Sequence, residues 1–155
     1  MTVQRDLEDL LAAVLAACRQ HYGERLVSLA VFGSVGRGVP RPDSDVDLLI
    51  VAGDLPRGRV ARAVAPLFAA LRAKGITPEL SPVFKTPAEL SQGSPLLLDM
   101  VEDARLLHDR DDFLRSVLAA LRERLERLGA RRVWRGSAWY WDLRPGFRPG
   151  EVFEL

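Results

Sequence analysis

Asp45 and Asp47 stand two residues apart at the head of an apolar run, Val46–Ala52 (VDLLIVA). Side chains alternate along a strand, so both carboxylates point the same way while Val46 points into the opposite layer. Like charges placed side by side repel and add nothing to stability, but a divalent cation would neutralise them. Magnesium suits such a place, because it takes hard oxygen ligands from one or two carboxylates and completes its shell with waters and substrate phosphates. A short way upstream, the buried-looking run Leu26–Phe32 (LVSLAVF) delivers Gly33-Ser34 directly into a turn. Glycine lets a backbone approach a ligand closely, and a helical turn begun there aims N–H groups at an anion, with the Ser34 hydroxyl as a further donor. A phosphate cradle facing a carboxylate pair suits attack on a nucleotide α-phosphorus.

The stretch Gly33-Ser34-x-x-Arg37-Gly38, followed by Ser44-Asp45-x-Asp47-Leu48, resembles the signature of the DNA polymerase beta-like nucleotidyltransferase superfamily, in particular its small stand-alone bacterial and archaeal members. The resemblance implies a polymerase beta-like fold, with Gly33 and Ser34 holding the triphosphate tail and Arg37 supporting phosphates or the loop. It implies that Asp45 and Asp47 bind Mg²⁺, two ions in all, with ATP or another NTP as substrate. It also implies a third carboxylate on a later strand, to help bind metal and to deprotonate the attacking hydroxyl. Glu79 is the only acid in the third strand here, where aspartate is usual, and is the residue that would take that place. Stand-alone relatives often act as antitoxins that modify a HEPN-type toxin, and a chain of this size is compatible with that.

The elements that must position these residues follow from patterning. Leu7, Leu10, Leu11, Val14, Leu15 and Cys18 recur at helical steps over Asp6–Cys18, with Gly23 able to end the helix. Strands over Leu26–Phe32 and Val46–Ala52 are followed by a helix over Arg59–Lys74 and a third strand over Ile76–Phe84, where Pro78 and Pro82 point to an edge position or a broken ladder. Thr86-Pro87-Ala88-Glu89 carries a capping box with proline at the first helical position. Ala104–His108 reads as a short fourth strand, and Asp112–Leu128 as the clearest helix, with Leu114, Val117, Leu118, Leu121, Leu125 and Leu128 in its apolar stripe. The layout is α/β (α+β): one small mixed sheet packed with helices, a core of about 1–108 and a helical, aromatic extension of 109–155 within a single domain.

Composition bounds the rest. With 155 residues and 48% hydrophobic side chains, the chain can bury a core without disulfides or structural metal. The net charge of +1 lacks the basic excess of a non-specific nucleic-acid binder, and nothing supplies the channel a processive polymerase needs. Apolar stretches are too short to span a bilayer, and no secretory leader pattern opens the chain, so a cytoplasmic place is expected. Cys18, the single cysteine, reads as a buried inert thiol.

Several residues have plainer readings. His21 and His108 lack metal-ligand partners at useful spacing; Asp43 and Ser44 make the turn before the strand; Arg41 reads as a surface side chain. Asp109, Asp111 and Asp112 read as the N-cap and acidic first turn of the long helix. The tail aromatics Trp134, Trp139, Tyr140, Trp141 and Phe147 read as a satellite core against that helix, ahead of a base- or partner-stacking surface. The expected function is therefore nucleotidyl transfer onto an acceptor hydroxyl. The alternative is a weakly active or inactive protein of the same fold that binds nucleotide or a partner, alone or as a homo-oligomer.

Overall fold

The computed structural model describes residues 3–39, 45–56, 69, 72–73 and 80–155. Helix α1 (Val3–Tyr22) is followed by strand β1 (Leu26–Phe32), a single helical turn α2 (Gly33–Gly36) and strand β2 (Val46–Ala52). Strand β3 (Leu80–Lys85), short helices α3 (Pro87–Ser91) and α4 (Leu96–Met100) and strand β4 (Arg105–Asp109) complete the core. Helix α5 (Phe113–Leu128) and a hairpin of β5 (Arg131–Arg135) and β6 (Ala138–Asp142) close the order. The sheet runs β3-β2-β1-β4, with β1 antiparallel to β2 and β4, and β2 parallel to β3. This is the mixed α/β layout that the patterning predicts, with the proline-bearing third strand at an edge.

Strand alternation divides the core into two layers. Leu29, Val31, Val46, Leu48 and Ile50 pack with Leu11, Val14 and Cys18 of α1. Ala30, Phe32, Leu49 and Val51 face the other way, onto Leu97 and Met100 of α4 and the Leu114, Leu118, Leu121 and Leu125 stripe of α5. Burying a leucine contributes roughly 2 kcal/mol, so the four of α5 make this helix part of the core rather than an appendage. Cys18 is buried and its thiol is pushed up to about 12 by desolvation, which keeps it protonated and inert as expected.

The Thr86 capping box forms in full: Glu89 N donates to Thr86 Oγ1 at 3.2 Å and Thr86 N to Glu89 Oε2 at 3.2 Å. The expected acidic cluster supplies the cap of α5, through its first member. Asp112 has left-handed backbone (φ 53°) and makes no side-chain cap; Asp109 caps instead, accepting from Leu114 N at 2.8 Å and Arg115 N at 2.9 Å. A 3-10 turn over Arg110–Asp112 intervenes, so the capping carboxylate comes from the end of β4, where Ser28 Oγ also donates to it at 2.6 Å. The helix expected over Arg59–Lys74 and the first part of the expected third strand, Glu79 included, lie mostly outside the described residues.

The tail aromatics correct the expectation of one satellite core. Trp141 packs into the layer under α4 and α5 and donates from its indole nitrogen to Leu98 O at 2.9 Å. Phe147 meets Phe153 edge-on at 5.6 Å. Trp134 and Tyr140 stay 46% and 45% exposed on the hairpin of β5 and β6.

Candidate active site

The two halves of the signature meet. Asp47 pairs in register with Phe32, the residue before the Gly33 turn, so β1–β2 pairing alone carries its side chain to the start of α2. Gly33 has φ +66°, and a Cβ built on it would lie 2.2 Å from Asp47 Oδ2. Both the backbone conformation and the carboxylate therefore require glycine here. Past Gly33 the chain makes one helical turn, closed by Arg37 N donating to Gly33 O at 3.1 Å and Val39 N to Ser34 O at 3.0 Å. The leading N–H groups of such a turn have no partner within it and point ahead of it.

Asp47 is half-buried, whereas Asp45, just before β2, is exposed. Asp47 and its same-face neighbours Leu49 and Val51 look toward the α4/α5 layer, while Val46 packs into the α1 layer, as strand alternation predicts. Desolvation, and after it the charge of Asp45, raises the Asp47 carboxyl above its ordinary value; Arg37 opposes this, and Asp99 on α4 adds to it. Such a carboxylate holds its charge at a cost that a cation would remove. Ser81, opposite Asp47 in the β2–β3 register, donates from Oγ to Asp45 Oδ2 at 2.9 Å.

Among the described residues no group of three or more acid, histidine or cysteine side chains is suited to hold a metal. The donor set that is present still fits magnesium, since two carboxylates with water and phosphate oxygens make a normal shell for it. Glu79, Arg41, Asp43 and Ser44 lie outside the described residues. His21 is exposed against the Tyr22 ring, and His108 lies in β4 opposite Leu29, which agrees with their plain readings.

Arg37 turns toward the body of the protein. Its Nη1 donates to Asp103 Oδ2 at 3.2 Å, and the same oxygen accepts from Arg132 Nη1 of β5 at 2.8 Å. Asp103 is only 6% exposed. Sequence reasoning missed Asp99, Asp103 and Arg132. For the hairpin that carries Arg132 there was a signal: Gly136-Ser137 separates two runs rich in aromatic and β-branched residues. A cavity of about 1270 Å³ opens between the α3–α4 region and α5, walled by Leu90, Leu97, Phe113 and Val117 among others; no residue of the signature lines it.

Residues 11–108 match the family model described as nucleotidyltransferase domain. A protein of Methanocaldococcus jannaschii, named "Putative protein adenylyltransferase MJ1305", is 32% identical over 130 residues, covering 81% of this chain and 87% of that one. Similar solved structures include a toxin–antitoxin with AMP-PNP, at TM-score 0.49 and 16% identity over 75% of this chain and 90% of that one. Another is a tri-AMPylated Shewanella oneidensis HEPN toxin in complex with MNT antitoxin, at TM-score 0.43 and 13% identity over 74% of this chain and 87% of that one. No helix among the described residues is long and apolar enough to cross a membrane.

Proposed function

The chain belongs to the nucleotidyltransferase domain family, and on that premise we propose that it moves a nucleoside monophosphate from an NTP, with ATP as donor, onto a hydroxyl of an acceptor protein. The observation that carries this reading is the contact between the Gly33 turn and the Asp47 carboxylate. A phosphate chain bound at the turn would lie against the acid pair. A protein acceptor is supported by the name of the M. jannaschii relative, and a HEPN-type partner is the class that the signature's resemblance suggests.

The N–H groups of α2 and the Ser34 hydroxyl bind the triphosphate tail, with Arg37 at the end of the turn contributing positive charge. Asp45 and Asp47 would hold Mg²⁺, which when bound would supply charge neutralisation on the phosphate oxygens. The acceptor oxygen forms a bond to the α-phosphorus as the bond to the bridging oxygen breaks. Pyrophosphate leaves toward the turn, where the N–H groups stabilise its charge. The hydroxyl proton passes to a base, a role assigned to Glu79. Ser81 restrains Asp45 through its 2.9 Å hydrogen bond, which limits how far that carboxylate can swing.

Incubation with α-labelled ATP, Mg²⁺ and candidate acceptors, the product of the adjacent reading frame first, tests the reading. Wild type transfers label; Asp45→Asn and Asp47→Asn do not. Label transfer indifferent to both substitutions contradicts it. A second reading, a nucleotide-binding protein with little or no turnover, is favoured by one observation: the described position facing Asp47 on β3 holds Ser81 rather than an acid. Glu79→Gln separates the two, since loss of transfer supports the enzyme. Binding of Mg²⁺–ATP without transfer to any acceptor supports the second reading.

A further inference from the structure

A buried polar cluster around Asp103 joins the C-terminal hairpin to the Gly33 turn. Asp103 Oδ2 accepts from Arg37 Nη1 at 3.2 Å and from Arg132 Nη1 at 2.8 Å, with the three side chains 4%, 22% and 18% exposed respectively for Asp103, Arg37 and Arg132. Both guanidinium groups lie by the Trp134 ring, 5.7 Å from its centroid for Arg37 and 4.8 Å for Arg132, and Arg132 also lies 4.9 Å from the centroid of Trp139. The backbone makes the same connection independently. A Cβ on Gly36 would lie 2.4 Å from Asp103 O, so the α2 turn packs directly on the Asp103 main chain.

We propose that Arg132 is a positioning residue for nucleotide binding, acting through Asp103 and the Trp134 ring to set the guanidinium of Arg37; this rests on the reading that Arg37 meets the triphosphate. The argument is electrostatic and geometric. A buried carboxylate paired with Arg37 alone would cancel its charge and compete with phosphate for its N–H donors. Arg132, on the same oxygen at the shorter distance, takes up that carboxylate charge, so the cluster keeps a net positive charge beside the turn. The contact to Asp103 uses Nη1 of Arg37, and a guanidinium carries further donors in a fixed fork. Trp134 supports one face of that fork and limits its rotation. Arg132 and Trp134 both belong to β5, so the hairpin is a structural part of the nucleotide site although it lies far away in sequence.

The test is a double-substitution cycle in the full chain, reading the dissociation constant of Mg²⁺–AMP-PNP by calorimetry for wild type, Arg37→Ala, Arg132→Ala and the double variant. Arg132→Ala is expected to weaken binding about tenfold, on the scale of a charge-assisted phosphate contact, and to have little further effect once Arg37 is alanine. Arg132→Gln repeats the cycle with a long polar side chain, so a failure of Arg132→Ala to fold leaves the comparison intact. Affinity that falls with Arg37→Ala but ignores both Arg132 variants, or losses that simply add, overturns this inference alone. Affinity indifferent to Arg37→Ala overturns it together with the reading of Arg37.

Discussion

Asp47 and Asp103 are the same residue type, both near the Gly33 turn, and the protein treats them in opposite ways. Asp103 is buried and held by two arginines of its own chain. Asp47 is half-buried beside a second acid, with its carboxyl raised by desolvation and by Asp45, and only Arg37 opposing. A carboxylate that exists for stability is paired by the fold. One left facing a like charge awaits a partner that the fold does not supply. This difference separates the proposed phosphate-and-metal site from the cluster proposed to position it.

Gly33→Ala should break the comparison most severely. A Cβ would strain a left-handed backbone by about 1–3 kcal/mol and meet Asp47 Oδ2 at 2.2 Å, so Mg²⁺–ATP binding should fall below detection by calorimetry while the melting temperature drops. Asp103→Ala comes next. Removing one member of a buried ionic cluster leaves its partners unpaired at a cost of about 3 kcal/mol, to be read from urea unfolding midpoints. Asp47→Asn should have the opposite sign at neutral pH: transfer is lost, yet the melting temperature rises, because a desolvated charge beside Asp45 is gone.

That gain should depend on pH in a defined direction. A carboxyl raised in the folded state favours folding below its unfolded value, about 3.9, and loses that contribution as pH rises through the folded value. The advantage of Asp47→Asn is therefore expected near neutral pH and should shrink as the medium is acidified toward the ordinary aspartate range. A melting difference that stays constant with pH contradicts the uncompensated charge. The smallest effect is expected at Trp141→Phe, which keeps most of the packing but loses the 2.9 Å bond to Leu98 O, for about 1 kcal/mol.

The same contrast explains what could be read in the sequence. The approach of Asp47 to the turn was legible because its signals are local: apolar runs mark the two strands that put Phe32 and Asp47 in register, and glycine marks the turn. The strands β1 and β2 were legible for the same reason, as apolar runs ended by glycine. Asp103 was not, because its partners lie 66 and 29 residues away and no local pattern marks a buried acid. The acidic cluster was legible as the source of the α5 cap, but not which of its members caps, because a 3-10 turn with left-handed Asp111 and Asp112 separates Asp109 from the helix it caps. The hairpin signal at Gly136-Ser137 was present but obscured by the surrounding glycines, prolines and aromatics.

The most direct measurement is anomalous diffraction from crystals grown with Mn²⁺ and AMP-PNP. A manganese peak within bonding distance of both Asp45 and Asp47, with the triphosphate against the Gly33-Ser34 turn, is the result predicted here. Nucleotide seated instead in the cavity beside α5, with no metal at the acid pair, would contradict it.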